Sequence, residues 1–337
     1  MGNSVVLSII VIAHNQKREL GRCVDSILAQ PLPFPHEIII SDDASSDGTW
    51  ELAIDYAEKH QEVQAYQCNT SDYNPANTSH RSGWNRCNGY KHTSGKYIAF
   101  VDGDDFFMEG TSVFNQQVSL LEKHPECACC MANGYMWKEG TDLQSAKLYR
   151  ESFDTGEILP SETYIRTMFR VSHCFLYRRR IDEDPSLLYG CFFEDALLTA
   201  HYLQFGDIVC LHDAGHVYVQ YPNSLWAKVI RSGDSLIYSH VLYIPYLIPI
   251  WKQVYLTEPY HLKKIWRTVR LLLSGHRLQK ENLEWARQID NYIQSAFRRR
   301  LSVLDYFHLL FLYLYIPLLV VIHPSAKWPY LFLQKFL

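Results

Sequence analysis

Three acidic clusters stand out by type and spacing: Asp42-Asp43, Asp102-Gly103-Asp104-Asp105 and Glu194-Asp195. Three carboxylates within four residues repel one another unless a cation sits among them. Hard oxygen donors with no adjacent Cys or His favour Mg2+ or Mn2+. An ion placed there would bridge a diphosphate. Asp104 and Asp102 are therefore the candidate metal ligands, with a solvated acidic turn as the alternative at that spacing. Glu194-Asp195 is a candidate proton acceptor. The alternative there is a helix start, where the helix dipole alone favours acidic side chains.

The elements that must position these groups follow from the hydrophobic pattern. Residues 5–13 form a continuous β-branched apolar run, as expected of a strand buried on both faces of a parallel sheet. Residues 17–30 carry Leu20, Val24, Ile27 and Leu28 on one helical face, and Pro31 stops that helix. Residues 37–41 predict a second strand, leading into Asp42 and Asp43. Ser46 or Asp47 is expected to cap a helix over 49–60. Residues 67–85 read as a polar loop and 84–93 as a short helix closed by Gly95. Residues 96–101 predict a third strand running into Asp102. Helices are expected over 111–123 and 191–205, and a strand within 209–221. The stretch 127–180 has no clear period. The β-α-β-α order, with right-handed crossovers, predicts one mostly parallel α/β sheet. Two of the acidic clusters then lie at carboxyl ends of strands, where open α/β sheets bind ligands.

With 47% hydrophobic and 20% charged residues, the 337-residue chain can build a large core. A net charge of -4 argues against a dedicated nucleic-acid binder. That average hides an asymmetry: from Tyr260 onward there are 12 Lys/Arg against 4 Asp/Glu. The nine cysteines show no paired C-x-x-C spacing and read as small buried residues in a reducing compartment. The first residues, MGNSVVLSIIVIAHN, read as a strand rather than a signal peptide, and Val6 stands where a myristoylation motif needs Ser or Thr.

The ordered set of motifs resembles family 2 glycosyltransferases of the GT-A fold. It comprises Ser8-Ile9-Ile10-Val11 with Asn15, Ser26-Ile27-Leu28-Ala29-Gln30, and Glu37 through Thr49 with its Asp42-Asp43 pair. Arg86, Gly89, Gly95-Lys96-Tyr97-Ile98-Ala99-Phe100, Val101 through Asp105, Glu194-Asp195 and Tyr218 through Ser224 complete it. The match runs over roughly residues 5–226. It implies an inverting, metal-dependent transferase with a nucleotide-sugar donor, in the commonest case a UDP-sugar. By that resemblance Asp43 contacts the nucleobase, and Ala13, His14 and Asn15 line the base and ribose. Asp102 and Gly103 lie at the ribose and metal shell, Asp104 ligates Mn2+ or Mg2+, and Arg86 lies near the nucleotide. Asp195 is the general base, with Glu194 beside it. The implied acceptor is a lipid-linked or cell-surface saccharide.

This chain departs from the family pattern at several points. His14 stands where the family usually has an aromatic residue, and Cys87 replaces an Asn. Val219 and Tyr221 replace Arg and His. If a histidine completes the metal shell, His212 or His216 must supply it; otherwise water does. His173 is placed near the acceptor, and the basic trio Arg178-Arg179-Arg180 reads as a solvated surface. A catalytically silent nucleotide-sugar or glycan binding module is the alternative reading. A dinucleotide-dependent oxidoreductase lacks its G-x-G-x-x-G turn.

A catalytic domain is expected over 1–230 and a helical, basic region over 231–337. Residues 307–322 are apolar but interrupted by Pro317, short of the roughly 20 residues a spanning helix needs. Arg298-Arg299-Arg300 precedes them, and Tyr306, Tyr313, Tyr315, Trp328 and Tyr330 surround them. Basic and aromatic residues beside an apolar segment describe a helix lying on an anionic membrane surface. The expectation is a cytoplasmic protein held peripherally at the membrane's cytosolic face. A homo-oligomer interface is the alternative for that region.

Overall fold

The computed structural model describes residues 4–69, 81–148, 153–167, 174–180, 194–222, 224 and 227. The chain divides into two compact units, Met1–Pro222 and Asn223–Leu337. The expected membrane-facing segment, His173 and Cys191 lie outside the described residues. Among the described residues, no helix is long and apolar enough to cross a membrane.

The first unit opens with β1 (Leu7–Ala13), α1 (Lys17–Leu28), β2 (His36–Asp42), α2 (Thr49–Lys59) and β3 (Val63–Gln67). Then come α3 (Arg81–Tyr90), β4 (Tyr97–Asp102), β5 (Phe106–Phe107), α4 (Val113–Lys123) and β6 (Cys127–Lys138). The short β7 (Lys147–Leu148) and β8 (Ile158–Leu159) precede α5 (Ser161–Thr167) and β9 (Phe175–Arg178). The last two elements are α6 (Glu194–Tyr202) and β10 (Asp207–Gln220). Among the described residues all ten strands join one sheet, whose main path is β3-β2-β1-β4-β9-β6-β10-β5.

The half β3-β2-β1-β4 is entirely parallel. The short β9 is antiparallel to both β4 and β6, and the long β6 and β10 are parallel to each other. The expected mostly parallel α/β sheet is thus present. All seven residues of β1 are buried. Ile9 and Val11 share a core with Cys23, Val24 and Ile27 of α1, Ala53 of α2 and Phe114 of α4. Gly89 of α3 lies against Ile10, on the other face. Burial on both faces is why β1 reads as a continuous apolar run rather than an alternating one. The eight described cysteines are free and buried. Burial pushes the thiol of Cys127 up to about 11 and those of Cys129 and Cys130 well above their ordinary value.

Several expectations are corrected. The helix expected over 84–93 starts earlier, at Arg81. Its first turn, Arg81-Ser82-Gly83, has weak helix propensity, and burial of Gly83, Asn85 and Arg86 overrides that. The stretch without a period contains the twelve-residue β6. Its first eight residues are all buried, so no alternation shows, and the run of small residues there hides the strand. The cap of α2 is Gly48, with φ +96°, rather than Ser46 or Asp47. Asp47 instead accepts the Thr49 amide at 3.0 Å and the Lys17 amide at 3.1 Å, tying the starts of α1 and α2 together.

A buried polar knot holds the opposite end of the sheet. Glu37 accepts Ser8 Oγ at 2.6 Å and the Ser94 amide at 2.6 Å, and Ser8 Oγ accepts the Gly95 amide at 2.8 Å. A Cβ at Gly95 would lie 2.6 Å from the Ser8 amide nitrogen. Backbone cannot yield as a side-chain tip can. Gly95→Ala should therefore cost about 1–3 kcal/mol in chemical denaturation, the usual penalty of overpacking. An unchanged midpoint would show that β1 and β4 are not held this closely.

Candidate functional site

Register brings the sequence-predicted groups together. Ala13 at the end of β1 pairs with Asp42 of β2, and Ile12 pairs with Asp102 of β4. The next residues continue the ties: the Asp43 amide donates to Ala13 O at 2.9 Å and the Gly103 amide to Ile12 O at 2.8 Å. Three strand ends thus open onto one crevice, each delivering one segment of the site. A Cβ at Gly103 would sit 2.9 Å from Ile12 O and 2.8 Å from Gln16 Oε1, so the acidic turn can pass this close only as glycine.

The turns after β1 and β2 are laced to each other. Asn15, in the left-handed region at φ 51°, accepts the Ser46 amide through Oδ1 at 2.9 Å. Its own amide donates to Ser45 Oγ at 2.8 Å. Asp42 is structural: Oδ2 accepts the Ser45 amide at 3.0 Å and Gln67 Nε2 at 2.9 Å. Its neighbour Asp43 is buried and faces a cation, with Arg81 Nε 2.8 Å from Oδ2. Arg81 Nη2 also donates to the Asp43 carbonyl at 3.1 Å. His14 Nδ1 lies 2.7 Å from the same carbonyl, and Asn15 Nδ2 lies 3.1 Å from His14 Nε2. A carbonyl only accepts, so Nδ1 carries the proton and Nε2 accepts from the amide. The ring is thereby fixed across the crevice, with His14's side chain 41% exposed.

The three carboxylates of the acidic turn have separate fates. Asp102, 31% exposed, pairs with Arg86 Nη2 at 2.7 Å. The Arg86 side chain is only 8% exposed, and its guanidinium lies 5.4 Å over the Phe100 ring. Asp105 is buried: Oδ1 accepts the Val219 amide at 2.9 Å, and Oδ2 lies 3.2 Å from His216 Nε2. Burial pushes His216 down to about 4, so it is neutral at pH 7; its contact with Asp105 Oδ2 lacks hydrogen-bond geometry. Among the described residues no other side chain hydrogen-bonds the Asp104 carboxylate, which is met by its own amide. Burial first, then the like charges of Asp105 and Asp102, raise its pKa well above the usual carboxylate range. Arg22 steadies its main chain, donating to Asp104 O at 3.2 Å and to Tyr221 Oη at 3.1 Å. The Arg22 guanidinium packs 4.4 Å over the Phe106 ring.

These donors fit a hard divalent ion. No group of three or more Asp, Glu, His or Cys forms an all-protein metal cage among the described residues. Mg2+ in phosphate-binding sites is held by one or two carboxylates, waters and substrate phosphates, which Asp104 and Asp102 can satisfy. Of the two histidine candidates, His216 reaches the acidic turn, where its Nε2 lies 3.2 Å from Asp105 Oδ2. His212 donates its amide to Thr155 Oγ1 at 3.1 Å, with its ring edge-on to Phe153.

Glu194 and Asp195 open α6. Asp195 is half-buried, and its carbonyl accepts Thr199 Oγ1 at 3.0 Å. Thr199 Oγ1 in turn lies 2.7 Å from Tyr177 Oη. The phenol of Tyr218 is pushed up by burial and then by the charges of Asp105, Asp102, Asp104 and Asp195. Tyr218 therefore lies within electrostatic reach of both the acidic turn and Asp195. Arg22, Arg81 and the electrostatic position of Tyr218 were not legible in the sequence. Arg81 looked like the edge of a polar loop, and Arg22 like one more cation on an amphipathic helix.

A family model described as Glycosyl transferase family 2 matches residues 8–184. An uncharacterized Mycobacterium tuberculosis protein is 25% identical over 227 residues, 65% of this chain and 60% of the relative. The uncharacterized glycosyltransferase EpsJ of Bacillus subtilis is 26% identical over 243 residues, 65% of this chain and 62% of its own length. The matches thus span about 60% of these relatives. Among solved structures, S. aureus TarS 1-349 in complex with UDP-GlcNAc superposes with a TM-score of 0.52 at 16% identity, covering 88% of this chain and 92% of that one. Its complex with UDP gives 0.50 at 17% identity, covering 89% and 93%. At such identity the likeness concerns the fold.

The split among the carboxylates is testable by stability alone. Asp105→Ala strands the buried Val219 amide, and should cost about 1–3 kcal/mol, the scale for leaving a buried donor unsatisfied. Asp104→Asn should do the opposite. A carboxyl whose folded pKa is raised takes up protons more readily when folded. It destabilises the fold above that pKa, and the penalty fades as pH falls through it. Metal-free Asp104→Asn should therefore melt higher than the parent at pH 7, and the gap should close on acidification. A lower melting temperature at pH 7 would mean that Asp104 is a structural residue like Asp105.

Proposed function

The chain belongs to glycosyl transferase family 2, and on that premise we propose that it transfers a sugar from a nucleotide-sugar, a UDP-sugar, to a hydroxyl group, with inversion. The acceptor is a lipid-linked or cell-surface saccharide. The observation that carries this reading is the Asp104 carboxylate, kept half-buried beside two like charges with no side-chain hydrogen bond to justify it. A nucleotide-sugar binding module could share that cation site; Asp195 at the start of α6, the proposed base, is what argues against a catalytically silent module.

Asp43, aimed by Arg81 and His14, accepts an N–H of the nucleobase, while Ala13, His14 and Asn15 line the base and ribose. Asp104 and Asp102 hold Mg2+ or Mn2+, which when bound supplies charge neutralisation to the leaving diphosphate. Arg86 keeps Asp102 oriented beside Gly103 and adds a positive charge near the nucleotide. Asp195 takes the proton from the acceptor hydroxyl as that oxygen bonds to the anomeric carbon. The bond from that carbon to the diphosphate breaks on the opposite face, which inverts the configuration. Glu194 stands beside the base. Residues 1–230 form the catalytic domain in this reading, and the basic region beyond holds it peripherally on the cytosolic membrane face.

A nucleotide-sugar screen with the full chain identifies the donor. Asp104→Ala should then abolish metal-dependent transfer; activity equal to the parent's in chelator would remove the metal assignment. Asp195→Asn should bind donor like the parent and transfer roughly 10²-fold more slowly or worse, the scale of a lost general base. A product that keeps the donor's anomeric configuration would rule out single displacement.

For the basic region, vesicle sedimentation decides. The chain should pellet with anionic vesicles and be released only partly by salt, because apolar burial is not screened. Replacing Arg298, Arg299 and Arg300 with Gln should weaken this binding. A chain that ignores vesicles and runs as a discrete dimer would make the region an oligomerisation element.

A further inference from the structure

The basic trio at the end of β9 is not the solvated surface its sequence suggested. Arg178, Arg179 and Arg180 are half-buried and line a cavity of about 320 Å³ together with Cys127, Tyr202 and Phe205. The cavity is remote from the acidic turn. Arg178 pairs with Tyr97, the first residue of β4, whereas Asp102 is the last residue of that strand. At about 3.3 Å per residue the two ends are roughly 17 Å apart.

The hydrogen-bond partners of Arg178 and Arg179 are neutral. Arg178 donates to the carbonyls of Cys127 at 3.3 Å, Leu121 at 2.7 Å and His124 at 3.4 Å, and to Tyr97 Oη at 3.2 Å. Arg179 Nη1 donates to Thr93 O at 2.6 Å and Thr93 Oγ1 at 3.1 Å, with its guanidinium 5.1 Å over the Tyr90 ring. The carboxylates nearby form their ion pairs elsewhere, although Glu122 and Glu126 still feel the Arg178 charge at longer range. Glu122 pairs with Lys96 at 2.6 Å and Glu126 with His124 at 3.0 Å, while Asp207 accepts the Ser161 amide at 2.8 Å. Two adjacent guanidinium charges are thus held in place by neutral oxygens, and neither forms an ion pair among the described residues. At the rim, Arg180 stacks 3.6 Å over the ring of Phe205, which is 43% exposed.

Partly desolvated cations are costly unless an anion answers them. Arg178 has given four of its five N–H donors to neutral oxygens, so the planar fork that matches phosphate oxygens is that of Arg179, bonded only through Nη1. The volume is at the small end of ligand pockets, about 300–1,000 Å³, and suits a phosphate with a short ester arm. We propose that this cavity binds a phosphate group, free or esterified, at the end of the sheet away from the donor crevice. The inference is independent of the donor chemistry at Asp43 and Asp104.

The test titrates full-length protein with inorganic phosphate, against sodium chloride of equal ionic strength, by calorimetry and thermal melting. Saturable binding that chloride does not reproduce is expected. Phe205→Glu places a carboxylate at the exposed rim and removes no hydrogen bond, and Arg179→Gln removes one charge. Each should weaken phosphate binding tenfold or more while leaving UDP binding unchanged. If Arg179→Gln fails to fold by circular dichroism, Phe205→Glu decides. Vesicles of phosphatidic acid in phosphatidylcholine, against phosphatidylcholine alone, distinguish the sources. Competition with inorganic phosphate that both variants abolish identifies a lipid headgroup. Phosphate binding without such competition identifies a soluble phosphate. Phosphate acting no differently from chloride, or variants binding it like the parent, would overturn the proposal.

Discussion

Carboxylates crowded at a strand end must each have their charge answered, and the turn after β4 answers its three in three ways. Asp102 has Arg86 at 2.7 Å. Asp105 is spent on the backbone of β10 and lies beside neutral His216. Asp104 has neither, and both burial and its neighbours oppose its ionisation. A cation arriving with a diphosphate would remove that opposition, and the cost would become affinity. On the proposed reading, this inequality among three neighbouring aspartates is what makes the turn a site.

Much of the surrounding structure maintains that inequality. Asp105 is anchored through Oδ1 because β10 brings the Val219 amide to the end of β4. The turn can lie against β1 only because Gly103 has no side chain to meet Ile12 O. Arg22 of α1 ties the Asp104 carbonyl to Tyr221 beyond β10. The interlocked turns after β1 and β2 hold Asp43 at the same crevice, with Asp42 serving as their internal brace. In each adjacent aspartate pair, one member is bonded into the fold, and on the proposed reading the other serves the ligand.

That division marks the limit of what the sequence discloses. The parallel half of the sheet was legible because β1, β2 and β4 are buried on both faces and so read as apolar runs, those of β2 and β4 ending in acidic residues. Their convergence followed from the topology. The strands β6 and β10 were harder to read. Cys127–Asn133 is a run of small buried residues with no period, and β10 carries a register shift between Leu211 and His216. Local pattern also could not tell Asp104 from Asp105. Their difference lies in contacts with a strand more than a hundred residues away. Arg81 and Arg22 escaped notice for the same reason, since an arginine's partner is a tertiary fact. Even the trio at Arg178–Arg180, plainly basic in the sequence, changes meaning once its guanidinium groups are seen bonded to main-chain carbonyls.

The central claim, that Asp104 is the carboxylate reserved for a cation bound together with a diphosphate, is tested most directly by binding rather than turnover. Mn2+ is titrated calorimetrically into the full chain with and without UDP, for the parent and for Asp104→Asn. Linkage requires that UDP tighten Mn2+ binding by the same factor that Mn2+ tightens UDP binding. The account predicts strong mutual tightening in the parent and its loss in Asp104→Asn, with metal-free UDP binding retained. Equal Mn2+ affinity and equal coupling in the two proteins would contradict it.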